Sequence, residues 1–274
     1  MENLKQIVNT YFNLIFKWRL ILLILATLFL FTNLITDFYD TPKFISLLTF
    51  VGLILVLWAL RTTFLGKVVF IRTPLDLPLI LLVSVAAVST FASSAPYVSL
   101  LGHQTKIHGS LVAIVVYAIF YFLLTNNLKG IREVRFMLFL TTLAGALLSI
   151  VTLLIYAGVK ILPSPWTHGT NFTPTGLSFS TAAILVLLLP LVLSSAIQAG
   201  KLPFKILNSF LLLLFGATIA LTGSLSTWVA GALAVALTVL VSSPIRQISI
   251  GGLIRLIGLI VPAVFLALVI VLSF

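Results

Sequence analysis

Two short stretches carry the side chains able to do chemistry. The first, Tyr97 to Gly109, holds His103, Lys106 and His108, two imidazoles and one ammonium within a few residues. The second, Lys160 to Gly176, holds Lys160 and His168 among several hydroxyls. Lysine supplies a compact positive charge and protonated histidine a donor, which suits an anionic headgroup or a diphosphate. The spacing of His103 and His108 does not put them on one helical face. No Asp, Glu or Cys lies beside them in sequence, which argues against a zinc site. The plainer reading of both stretches is a loop wetted by ordinary polar residues. Neither holds a Ser-His-Asp arrangement, a Gly-rich phosphate cradle or paired carboxylates. The two acids expected on the same side, Asp37 and Asp40, belong to a different loop.

Composition says what surrounds these residues. Of the 274 residues, 61% are hydrophobic and 8% charged, too few charges to cover a globular surface in water. A net charge of +11 would point to nucleic acid in a soluble protein. Here the basic residues stand singly or in small groups between apolar runs, leaving no face to track phosphates. The chain is therefore predicted to be a polytopic membrane protein, with lipids rather than nucleic acid as its surroundings. Each cationic loop residue close to anionic headgroups gains about 1 kcal/mol. Cysteine is absent, which removes disulfides and thiolate chemistry, and no pattern implies a cofactor.

A spanning helix needs about 20 predominantly apolar residues. The candidate runs are 20–36, 44–60, 75–93, 110–125, 136–158, 177–197, 206–222, 227–242 and 256–274. The charge-free stretch 206–245 would make one helix of about 60 Å, twice the hydrocarbon core, so it must turn back. The polar cluster Thr222–Thr227 is the best place for that turn. The result is an all-α transmembrane bundle of about nine spanning helices, N-terminus inside and C-terminus outside.

This threading puts Lys5, Lys17, Arg19, Arg61, Lys67, Arg72, Lys129, Arg132, Arg135, Lys201, Lys205, Arg246 and Arg255 on the inner side. Only Lys43, Lys106 and Lys160, with the three histidines, fall outside, as the excess of Lys and Arg in cytoplasmic loops requires. Residues 1–18 are expected to form a separate amphipathic helix in the inner interface, ahead of a transmembrane domain over 19–274. Leu4, Ile7, Val8, Tyr11, Leu14 and Ile15 recur at helical spacing, with Asn3, Gln6, Asn9, Thr10 and Asn13 opposite. The segment lacks a cleavage site of small residues, so it does not read as a cleavable signal. The last run ends at Phe274 with no anchoring residue beyond it, and the chain is expected to be the N-terminal part of something longer.

The central turns of the predicted spans lack Lys, Arg, Asp and Glu, which argues against a proton-coupled carrier or ion pump. Asp76 comes nearest and reads as a first-turn carboxylate favoured by the helix dipole, with Arg72 four residues before it. Ser178, Ser180, Thr181, Thr218, Thr222, Ser224, Ser226 and Thr227 read as helix packing or as a hydrophilic floor beneath an outward-facing cavity. Gly216, Ala220 and Ser224 recur every four residues, which permits close helix approach.

Three stretches carry a resemblance: Arg72-Thr-Pro-Leu-Asp-Leu-Pro-Leu79; Tyr97-Val-Ser-Leu-Leu-Gly102 followed by Lys106 and Gly109; and Phe172-Thr-Pro-Thr-Gly176 with Leu-Leu-Pro at 188–190. In order, spacing and membrane setting they resemble the N-terminal portion of the O-antigen ligase and polymerase family of bacterial membrane glycosyltransferases. The resemblance implies metal-independent transfer of a glycan from a polyprenyl diphosphate carrier to an acceptor hydroxyl. It places that reaction on the outer face of the bacterial inner membrane, in cell-surface polysaccharide assembly. It implies that Lys106, His103, His108, Lys160 and His168 stabilise the diphosphate electrostatically. It also names the partners: membrane lipids, the lipid-linked glycan and the glycan acceptor. The Ser-Arg pair of that family stands here as Ser224-Leu225, and the sequence ends about where the family's large outer loop would begin. No catalytic residue is carried over. A transporter of small molecules or lipids, or a non-catalytic membrane scaffold, are the other readings of the same architecture.

Overall fold

The computed structural model describes residues 2–34, 37–66, 71–103, 107–128, 130–161, 167, 172–222 and 225–242. Among them nine α-helices form: α1 (Glu2–Phe29), α2 (Asp40–Leu65), α3 (Asp76–Phe91), α4 (Pro96–Leu101), α5 (Leu111–Asn127), α6 (Ile131–Tyr156), α7 (Ser178–Gln198), α8 (Leu202–Leu221) and α9 (Leu225–Ser242). Six of them, α1, α2, α6, α7, α8 and α9, are long and apolar enough to cross a bilayer. The chain is a multi-pass membrane protein. α3 and α5 are apolar but have 16 and 17 residues, about 24–26 Å of helix. α4 is a short helix inside what the sequence presents as a loop. The expected span 256–274 lies outside the described residues, as do Arg246 and Arg255.

The chain divides into two compact units, Met1–Met137 and Leu138–Phe274. In the first, α1 packs on α2, and α5 packs on α2, α3 and α4. α1 corrects two expectations. It runs unbroken through residue 18, so the amphipathic stretch and the first crossing are one helix. It also stops at Phe29 rather than at 36, because Thr32 N–H donates to the Phe38 carbonyl and closes a loop there. The span therefore starts lower in the chain, at Val8, and takes in Lys17 and Arg19, which the sequence places in an inner loop. Helical side chains lean toward the N-terminus, so Lys17 reaches toward that end and pairs with Glu133 at 2.6 Å.

One face of α1 exposes large apolar side chains, and the other buries apolar and amide side chains together. Tyr11, Leu14 and Trp18 are exposed, at 62%, 50% and 61%, while Phe12 and Phe16 are buried. The side-chain oxygens of Asn9 and Asn13 share the buried side without a hydrogen-bond partner. Lipid is as apolar as leucine, so an apolar face gains nothing by turning inward. Polar side chains, by contrast, are better placed against protein than against acyl chains.

A polar knot closes the end of this unit where α2 finishes and α5 finishes. Asn127 Oδ1 accepts from Arg61 Nη1 at 3.2 Å, and Asn126 Oδ1 accepts from the Ile71 N–H at 2.8 Å. The Arg61 guanidinium lies 4.7 Å from the centre of the Phe12 ring. Asp76 opens α3 as expected. Its carboxylate accepts from the Thr73 N–H at 2.8 Å and the Thr73 hydroxyl at 2.6 Å, which tie the preceding turn to the helix start, and the Arg72 charge adds to them.

In the second unit α7 is central and packs on both α8 and α9. Its core joins Leu185, Val186, Leu188, Leu189 and Val192 with Phe215 and Ile219 of α8 and Ala146 of α6. α8 ends at Leu221 and α9 starts at Leu225, within the stretch Thr222–Thr227 where the sequence places a turn; residues 223–224 lie outside the described residues. The close-approach glycine is not the expected one. A Cβ at Gly216 would meet nothing within 4 Å, whereas one at Gly145 would lie 2.5 Å from Leu188 Cδ1 and 3.4 Å from Phe215 Cζ.

The segment before α7, expected in an outer loop, is covered by protein. Phe172, Thr173, Pro174 and Thr175 are non-helical yet buried. Gly176, at φ 108°, returns its N–H to the Thr173 carbonyl at 3.0 Å and closes a tight turn. Thr175 shares hydrogen bonds with Thr173 on one side and Thr181 of α7 on the other.

Candidate functional site

Asp37, Asp40, Lys43, His108 and Tyr117 of the first unit lie where α2 and α5 begin. Asp37 builds this end. One carboxylate oxygen accepts from the N–H groups of Tyr39 and Asp40, both at 3.2 Å, and the other from the Thr41 N–H and hydroxyl, both at 3.0 Å. These are donors that a helix start leaves without intrahelical partners. Burial acts to raise the Asp37 pKa, but the four hydrogen bonds outweigh it and hold the carboxyl below its ordinary value. Burial raises the Tyr39 phenol.

The Asp37 cap makes stability depend on pH in one direction. A carboxyl whose pKa is depressed on folding stabilises the protein above its unfolded pKa, and loses that contribution as pH falls through the folded value. Replacing Asp37 with Ala is expected to cost about 1 kcal/mol at neutral pH, in the range for lost caps. In thermal unfolding of the detergent-solubilised protein, the gap between wild type and Asp37→Ala should narrow as pH drops below the carboxylate range. A gap that ignores pH would show that the carboxylate is not the cap.

With its start held, α2 presents Asp40, Lys43 and Phe44 on successive turns. The Lys43 ammonium sits 5.9 Å from the centre of the Tyr39 ring. From α5, Ser110 caps the helix by accepting from the Ala113 N–H at 3.2 Å, and this fixes the turn that carries His108. Tyr117, two turns into α5, leans back toward the helix start and stacks beside the His108 ring, centroids 6.3 Å apart. Its hydroxyl is hydrogen-bonded to His108 Nδ1. The edge of Phe44 packs against the same imidazole, at 6.1 Å. His108 Nε2 faces Asp40 Oδ1 at 3.9 Å, and the two side chains remain 46% and 51% exposed.

For the neutral imidazole these distances favour one tautomer. If Nδ1 carried the proton, the bare lone pair of Nε2 would face the Asp40 carboxylate. The favourable arrangement has the Tyr117 hydroxyl donating to Nδ1 and an Nε2–H directed toward Asp40.

Of the five residues singled out in the sequence, His108 enters this cluster. His103 is exposed just after Gly102, at the end of α4. Lys160 is exposed beyond the end of α6, in the second unit. Lys106 and His168 lie outside the described residues. One expectation is overturned: His108 does have an acid beside it, since parallel packing of α2 and α5 sets their starts together and brings in Asp40 from another loop. Sequence reasoning also passed over Lys43, Phe44 and Tyr117. The available signal was the shared side of the membrane that the charge pattern assigns to Asp40, Lys43 and His108. Among the described residues no three of His, Asp and Glu converge as metal ligands.

Comparison with known proteins adds no relative: no family model, curated protein or solved structure matches the chain.

Proposed function

We propose that the chain is an O-antigen ligase-like or polymerase-like membrane protein of the bacterial inner membrane. It handles a glycan carried on polyprenyl diphosphate at the outer face and presents it to an acceptor hydroxyl. The observation that carries this reading is the convergence of Asp40, Lys43, His108 and Tyr117 where α2 and α5 begin. Carboxylate, ammonium, imidazole and phenol, walled by aromatic rings, suit a hydroxyl-rich ligand. In the threading that keeps most Lys and Arg inside, this end faces outward, and Lys106, His103, Lys160 and His168 share that side. α3 and α5 complete crossings in that threading despite their short helices.

The test uses the protein reconstituted in lipid nanodiscs with an undecaprenyl diphosphate-linked oligosaccharide. Binding is expected, and Lys106→Ala and Lys160→Ala together should weaken it about tenfold through lost charge-assisted contacts. Failure to bind, or binding unaffected by the paired substitution and by Lys43→Ala, would overturn the reading.

A further inference from the structure

The cluster around His108 has a charge balance ill-suited to a diphosphate. Asp37 and Asp40 both precede Lys43 around this helix start, so two carboxylates stand against one ammonium beside the His108 imidazole. An anion placed at His108 would face Asp40 directly.

The distance between the two groups points elsewhere. At 3.9 Å, His108 Nε2 and Asp40 Oδ1 are too far apart to hydrogen-bond and close enough for a single oxygen to bridge. One hydroxyl could sit about 2.7–2.9 Å from both. It would accept from the Nε2–H and donate to the carboxylate, using both halves of its hydrogen-bonding capacity. Tyr117 holds the tautomer that this requires, and Phe44 fixes the ring against rotation. Both polar groups are about half exposed, so a ligand can reach them.

We propose that the gap between His108 and Asp40 is a binding position for one hydroxyl of a neutral sugar, and that His108 serves the glycan rather than its diphosphate. The proposal rests on the glycan-handling reading above and specifies which part of the ligand this site takes. Asp40 is the acceptor at the site. Tyr117 acts through His108 and is a positioning residue.

The full chain, labelled with nitrogen-15 histidine and held in nanodiscs, provides the measurement. The His108 resonances are assigned with His108→Gln. Free glucose, galactose and N-acetylglucosamine are the probes, with tetrahydropyran as the ring without hydroxyls and inorganic pyrophosphate as the anion. Sugars are expected to shift the His108 signals saturably while the Nε2–H tautomer persists, and tetrahydropyran to leave them unmoved. Asp40→Asn should weaken the sugar response about tenfold. Tyr117→Phe should redistribute the tautomers, which a purely structural role would not do. The proposal is overturned if no sugar moves His108, if pyrophosphate alone does, or if Asp40→Asn responds as wild type does. Should the lipid-linked oligosaccharide still bind in those cases, the functional reading stands without the hydroxyl site. A sugar response without lipid-linked glycan binding would leave the site and remove the reading.

Discussion

Phe215→Ala should lower the stability of the detergent-solubilised protein by about 3 kcal/mol, near the low end for buried Phe. Phe215 is fully buried and belongs to the core that α7 shares with α8 and α6. In a bilayer the loss is mainly of dispersion contacts and of a filled void, since the alternative solvent is also hydrocarbon. The same void makes a sharper prediction about Gly145. Gly145→Leu alone pushes into Leu188 and the tip of Phe215, and should cost about 1–3 kcal/mol by overpacking. Combined with Phe215→Ala, the new leucine enters vacated space. The pair should then be more stable than the sum of the single changes by roughly 1 kcal/mol or more, as touching residues couple. Strict additivity in thermal unfolding would show that the two positions do not share that space.

Asn127→Leu is expected to cost about 1–3 kcal/mol at the opposite end of the first unit from His108. Asn127 is buried, donates to the Leu123 carbonyl at 2.8 Å and accepts from Arg61 at 3.2 Å. Leucine fills the volume but offers the guanidinium no acceptor, leaving it against the Phe12 face. Arg61→Met alone should cost less than Asn127→Leu, because it removes the charge along with its partner. On the Arg61→Met background, Asn127→Leu should lose most of its effect. An undiminished cost there would mean that Asn127 acts through α5 itself and not through Arg61.

The sequence-level reading and the molecule part company for identifiable reasons. Long apolar runs such as 40–65 and 178–198 announce themselves, because a helix is the form that satisfies its own backbone in lipid. The break between α8 and α9 follows from length, and its place from the polar cluster at Thr222–Thr227. Faces are harder to read: in α1 the Asn9–Asn13 side turns toward protein and Trp18 outward, so a pattern that would mark a water-facing stripe means something else in lipid. Small-residue spacing pointed to Gly216, while the crowded glycine is Gly145, since crowding depends on what the neighbouring helix presents. The candidate site was half visible. His108 stood out by type, but its partner Asp40 is far away in sequence, and only the packing of α2 against α5 joins them. Asp37 looked like another outer acid and proves to be a helix cap.

The buried turn at Phe172–Gly176 bears on the order in which the second unit can be assembled. While it is being delivered to the membrane, this stretch is polar enough to stay in water, with its backbone and threonine hydroxyls hydrated. It can settle only after its cover exists, and that cover includes the first turn of α7, whose Thr181 takes the hydrogen bond from or gives it to Thr175. Insertion of α7 therefore has to precede closure of the segment that comes before it in the chain. Synthesis runs in one direction here and consolidation of the turn on α7 in the other.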